Sequence, residues 1–190
     1  MEAFLISAGV VALAEIGDKT QLLALVLAAR YRKPIPIILG ILVSTLLNHA
    51  LAGAVGRWLA RLISAGALRW ILGISFIAMA LWMLIPDKYA EEKEQTPRFG
   101  IFGTTVIAFF LLEMGDKTQI ATVALAAKYP SLLAVVAGTT CGMMLANVPA
   151  VLLGDVAAKK LPLRLVHGIA AAIFIVMGIL VLLGPALNLG

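Results

Sequence analysis

Shifted by 98 residues, this chain overlies itself. Glu15, Gly17, Asp18, Lys19, Thr20 and Gln21 fall on Glu113, Gly115, Asp116, Lys117, Thr118 and Gln119, and only Ile16 and Met114 differ within that seven-residue stretch. Without a gap, the same offset brings Phe4 onto Phe102, Tyr31 onto Tyr129, Gly40 onto Gly138, Gly56 onto Gly154, Phe76 onto Phe174 and Met79 onto Met177. The chain is two copies of one unit. Both copies consist mainly of apolar runs: 62% of the residues are hydrophobic and 13% charged, and the mean hydropathy is +1.05. A soluble domain averages about 45–50% apolar and about 25% charged, so the solvent that suits this composition is lipid.

Apolar runs bounded by charge, Pro or Gly predict six spanning helices, at 4–29, 35–60, 67–86, 100–128, 131–158 and 163–184. The expected fold is an all-α membrane protein of six transmembrane helices in two three-helix repeats, 1–86 and 99–190, joined by a polar linker at 87–98. Three is odd, so the second copy enters the bilayer from the opposite face and the repeats have inverted topology. Nine basic residues gather on one side: Arg30, Arg32, Lys33, Lys88, Lys93, Arg98, Lys159, Lys160 and Arg164. The other side has Arg57, Arg61, Arg69 and Lys128. The richer side, with the linker, is expected to be cytoplasmic and both termini outside. Glu2 stands where a signal peptide carries positive charge, and the first apolar run continues to Ala29, so the first helix is expected to be retained rather than cleaved. The lone Cys141 excludes an internal disulfide and a thiolate metal cluster. The net charge of +5 is dispersed beside apolar runs, with no basic stripe or aromatic platform, so nucleic acid is not an expected partner.

The chemistry lies in the doubled motif. Glu15, Asp18 and Lys19 sit near the middle of the first apolar run, and Glu113, Asp116 and Lys117 near the middle of the fourth. Each such group costs about 2.5–3.5 kcal/mol at a helix centre, so six facing lipid would cost about 15–20 kcal/mol. They must face one another or water. On a continuous helix Glu15 and Asp18, three apart, share a side, and Gln21 continues it; Glu113, Asp116 and Gln119 do the same. Gly17 and Gly115 permit close helix approach or a local break that turns carbonyls inward. Four carboxylates with amide oxygens form a hard ligand set suited to Ca²⁺, Mn²⁺ or Mg²⁺, and with no thiolate or His in the motif it suits Zn²⁺ or Cu⁺ poorly. Four negative and two positive charges leave −2, which one divalent ion neutralises. When the ion leaves, protons are expected to take its place, which makes exchange the natural mechanism. No resident cofactor and no catalytic residue are expected. The metal ion and protons are substrates, and the remaining partner is membrane lipid.

Other positions carry weaker signals. Asn48 with Ser44 on the second span, and Asn147 with Thr140 on the fifth, offer further oxygens or ties between helices. Under the 98-residue offset it is His49, not Asn48, that aligns with Asn147. Pro149 frees the carbonyl of Leu145, and Met143 and Met144 suit packing gaps. His167, near a helix start, reads as interfacial. Lys19 and Lys117 are read as structural or charge-balancing, and a plain structural alternative is an ion pair between Glu15 and Lys19, four apart. An enzyme handling phosphate within the bilayer would want Arg or His at depth, and no Arg falls mid-span. The remaining alternative is an exporter or channel for another cation, such as a basic amino acid.

Two copies of Glu-x-Gly-Asp-Lys-Thr in a six-span chain resemble the GDT-one-like family of cation/proton exchangers, which includes Golgi manganese and calcium transporters and bacterial manganese exporters of the MneA type. The resemblance covers essentially the whole chain. It implies transport of Mn²⁺ or Ca²⁺ against protons, with Glu15, Asp18, Glu113 and Asp116 as acidic binding residues. The short linker implies a bacterial plasma-membrane member rather than a Golgi one.

Overall fold

The computed structural model describes residues 1–85, 99–153 and 163–183, without the side chains of 163 and 164. The linker at 87–98, Lys159 and Lys160 lie outside the described residues, as does the side chain of Arg164. Among the described residues every regular element is a helix: α1 (Glu2–Glu15), α2 (Lys19–Tyr31), α3 (Pro34–Leu62), α4 (Ala65–Met83), α5 (Gly100–Glu113), α6 (Lys117–Lys128), α7 (Leu132–Leu153) and α8 (Leu163–Leu183). Four of them are long and apolar enough to cross a membrane: α3, α4, α7 and α8.

The boundaries follow local chemistry. Pro34 opens α3 at a position where its missing N–H costs nothing. The Ser64 hydroxyl accepts from the Ala67 N–H at the start of α4. Pro149 lies inside α7. The expectation of unbroken helices over 4–29 and 100–128 is corrected: each run is interrupted at its motif, giving α1 and α2 in the first and α5 and α6 in the second. At about 1.5 Å per residue, the 14 residues of α1 and 13 of α2 reach about 21 and 20 Å, so neither alone crosses a hydrocarbon core of about 30 Å.

Packing respects the 98-residue offset. α1 lies along α7 as α5 lies along α3, α2 meets α7 as α6 meets α3, and α4 pairs with α8. The close crossings are made by matching glycines. A Cβ at Gly138 would stand 2.5 Å from the Phe4 carbonyl oxygen, and one at Gly40 would stand 2.7 Å from the Thr105 Cβ. Phe4 matches Phe102, which also borders Gly40, and Ser7, beside Gly138, matches Thr105. Where α4 meets α8, the matching residues Phe76 and Phe174 meet each other, with ring centroids 6.2 Å apart. Exposure runs opposite to a water-soluble fold: Trp58, Trp70, Ile74 and Leu81 are more than half exposed, whereas Glu15, Asp18, Glu113, Asp116 and Lys117 are buried. Lipid solvates the outside and the polar groups meet inside, as in a multi-pass membrane protein.

Candidate metal centre

Both helix breaks have the same backbone. After Glu15, Ile16 is extended (φ −64°, ψ 117°), Gly17 has φ +83°, and Asp18 caps α2 at φ −79°, ψ 169°. After Glu113, Met114 is at φ −61°, ψ 121°, Gly115 at φ +76°, and Asp116 caps α6 at φ −80°, ψ 168°. A positive φ is nearly free for glycine and strained for other residues, which is why the motif can turn here. The Asp18 N–H donates to the Glu15 carbonyl at 3.0 Å and the Asp116 N–H to the Glu113 carbonyl at 3.1 Å. Gln21 Oε1 accepts from the Gly17 N–H at 2.9 Å, and Gln119 Oε1 from the Gly115 N–H at 2.7 Å. Each glutamine thus closes its own break much as a capping-box residue does.

Glutamate and aspartate therefore do not share a helix face by three-residue spacing, as an unbroken helix would have it. Glu15 and Glu113 end one half-helix, where the dipole is negative, and Asp18 and Asp116 begin the next, where it is positive. The glutamates add charge to an end that attracts cations, and freed carbonyls at such ends are the usual cation-facing groups of broken membrane helices.

Glu15, Glu113 and Asp116 each offer a carboxylate oxygen within 4.8 Å of the other two, and all three are buried. Glu15 is 0% exposed and neither of its carboxylate oxygens has a hydrogen-bond partner. Glu113 Oε1 accepts from the Thr118 hydroxyl. Two ion pairs join the copies crosswise: Lys19 Nζ to Asp116 Oδ1 at 2.8 Å and Lys117 Nζ to Asp18 Oδ1 at 3.8 Å. The alternative pairing of Glu15 with Lys19 is thereby replaced by one in which each lysine reaches the aspartate of the other copy. Asp18 stands outside the tight triad. Lys117 also lies 5.9 Å from the Trp82 ring centroid on α4.

The amides act mostly on one another and on backbone. Gln21 Nε2 donates to the Ala146 carbonyl at 3.0 Å, so it is Ala146, three residues before Pro149, whose carbonyl gains the cross-helix bond. Gln119 Nε2 donates to Asn48 Oδ1 at 3.4 Å, and Asn48 Nδ2 to the Phe110 carbonyl at 3.2 Å. Asn147 Nδ2 donates to the Met143 carbonyl and sulfur, both at 3.1 Å, and its Oδ1 has no hydrogen-bond partner. Ser44 and Thr140 are buried with hydroxyls lacking partners.

Two contributors do not stand out in the motif. Thr118 lies inside it, but a hydroxyl bound to Glu113 follows only once the break is in place. His49 was hidden because it sits on α3, and the one signal for it was the offset that lays it on Asn147. Its ring is 0% exposed, and Nε2 is 3.7 Å from Glu113 Oε1. The motif itself contains no histidine, but the fold brings His49 from α3 to its edge. His167 is also not merely interfacial: it is partly buried and its Nε2 donates to the Ile16 carbonyl within the first break, at 2.7 Å.

The sequence model of the divalent cation/proton antiporter GDT1 family matches the chain twice, over residues 3–91 and 101–188. A Vibrio cholerae protein named "Putative manganese exporter" is 53% identical over 180 residues, covering 94% of this chain and 90% of that protein. GDT1-like protein 3 of Oryza sativa subsp. indica is 30% identical over 92% of this chain and 71% of its own length. GDT1-like protein 5 of Arabidopsis thaliana is 28% identical over 97% of both. No solved structure matches the chain. With both halves matched by one family model and more than half of the residues shared with a full-length relative, this chain belongs to the divalent cation/proton antiporter GDT1 family.

Proposed function

We propose that this antiporter, a transporter and not an enzyme, exports Mn²⁺ from the cytoplasm in exchange for protons, with Ca²⁺ as the second candidate substrate, and that Glu15, Glu113 and Asp116 hold the ion. One observation carries the assignment of the site: three buried carboxylates drawn from both copies lie within 4.8 Å, and Glu15 is left with no hydrogen bond. A buried carboxylate as bare as that of Glu15 is too costly to retain for packing, and a divalent cation shared with Glu113 and Asp116 offsets that cost. Mn²⁺ is favoured as the substrate by the likeness to the Vibrio cholerae protein named for manganese export.

Asp18 completes the set of four acids, with Lys117 as its counter-charge. Lys19 plays the same part for Asp116. The amides of Gln21 and Gln119 hold the breaks, Asn48 ties Gln119 to the Phe110 carbonyl, and Asn147 keeps its Oδ1 free to serve as a further oxygen ligand. A net −2 at this depth is balanced by one M²⁺ or by protons, never left bare, and this alternation couples the two fluxes. The six spans are α1 with α2, α3, α4, α5 with α6, α7 and α8, arranged as inverted repeats 1–86 and 99–190 around the 87–98 linker. The meeting of like residues Phe76 and Phe174 supports a two-fold axis between the repeats. Alternating access then follows from rocking one repeat against the other.

The chain sits in a bacterial inner membrane with the Arg30, Arg32 and Lys33 end in the cytoplasm. On the opposite end Arg57 Nη1 donates to the Pro130 carbonyl, which supports placing the close of α3 and the α6–α7 turn on one face. Proteoliposomes with a Mn²⁺ reporter and a pH reporter test the whole. Wild type moves Mn²⁺ and protons in opposite directions, and E15Q and D116N each abolish Mn²⁺ flux while keeping the wild-type elution profile. Normal flux in either variant removes that residue from the site, and Mn²⁺ flux indifferent to an imposed pH gradient removes the exchange.

A further inference from the structure

His49 brings a buried imidazole to the edge of the carboxylates. It lies on α3, is 0% exposed, and neither Nδ1 nor Nε2 makes a hydrogen bond to a described residue. A buried polar atom without a partner is destabilising, so a histidine that served only packing would be expected to bond at least one nitrogen. The same register in the other copy holds Asn147, equally buried, with Oδ1 unpartnered. Each copy therefore leaves one donor atom unsatisfied at the matching place, and one of the two is nitrogen.

The spacing to Glu113 fits a shared ion. Two donors bound to one metal at about 2.0–2.5 Å lie about 3–5 Å apart. His49 Nε2 is 3.7 Å from Glu113 Oε1, inside that range; it stands outside the 4.8 Å triad, so joining the same ion takes a closer approach to Glu15 and Asp116. Ca²⁺ and Mg²⁺ take oxygen ligands almost exclusively, whereas first-row transition ions accept imidazole and bind it more tightly along the series from Mn²⁺ to Cu²⁺.

We propose that His49 is a ligand that sets the specificity of the site, supplying the nitrogen that favours a transition-metal ion over Ca²⁺ and Mg²⁺. This rests on the carboxylate site proposed above and deepens it. It also carries a corollary that an all-oxygen site lacks: Co²⁺ should compete with Mn²⁺ at the same place.

The test uses the full chain in detergent and in proteoliposomes. Pulsed electron paramagnetic resonance of the Mn²⁺-loaded protein should reveal a nitrogen coupling that changes when histidine is labelled with ¹⁵N and vanishes in H49N, which still contains His167. In flux assays H49N, which copies the Asn147 side of the site, should let Ca²⁺ compete with Mn²⁺ at least tenfold better than in wild type and weaken Co²⁺ competition by a similar factor. Mn²⁺ bound without histidine nitrogen coupling, or an unchanged Mn²⁺/Ca²⁺ ratio in H49N, overturns the role of His49 and leaves the carboxylate site standing. Wild type that binds none of the three ions, or E15Q that binds Mn²⁺ as wild type does, overturns the parent site instead. Should H49N fail to fold, H167N decides in its place: a histidine-nitrogen coupling that persists there supports His49, and one that vanishes there overturns it.

Discussion

Gly115 holds φ at +76° with nothing within 4 Å of where a Cβ would be, so the cost of a side chain there is conformational and not steric. A left-handed conformation costs a non-glycine residue about 1–2 kcal/mol, and Asn less. G115A should accordingly lower the stability of the purified protein by about 1–2 kcal/mol, read as a fall in the thermal midpoint in detergent, and G115N by less. Equal losses in the two would show that space and not backbone angle governs the position. The presence of six ionisable groups at depth, and their need to meet, were legible from charge inside apolar runs. Which lysine neutralises which acid was not. Spacing pointed from Lys19 to Glu15, but the break at Gly17 swings the start of α2 away from the end of α1, and Lys19 finds Asp116 across the interface.

At the scale of helices, length and hydropathy located the long spans well. The 35–60 run became α3 (Pro34–Leu62), and 163–184 became α8 (Leu163–Leu183). The first and fourth runs resisted because hydropathy averages over a break of three residues, and only the glycine hinted at it. What holds each half-helix is its neighbour: α1 lies in contact with α7 through Gly138, and α5 with α3 through Gly40. Overpacking a tight contact costs about 1–3 kcal/mol. G138V should thus destabilise by about that amount, and because the crossing carries Glu15 toward the site, Mn²⁺ flux should fall along with it. Urea or thermal titration beside the flux assay checks both; a stable G138V would mean that α1 can ride further from α7 without loss.

At the scale of the molecule, the inverted arrangement makes a prediction of sidedness. In a C141S background, R32C should react with an impermeant thiol reagent only from the cytoplasmic face and S64C only from the opposite face; the reverse pattern would invert the proposed direction of export. The duplicated sequence alone determined that there are two like units and that their acids cannot face lipid, and it made a doubly charged ion their expected counterpart, since these follow from offset, hydropathy and charge, which are properties of order along the chain. Only tertiary structure decided that Glu15 joins Glu113 and Asp116 more tightly than it joins Asp18, that the lysines cross between copies, and that His49 stands at the edge of the carboxylates. Those are distances between segments far apart in sequence, fixed by which helices pack together and by how closely glycine lets them approach.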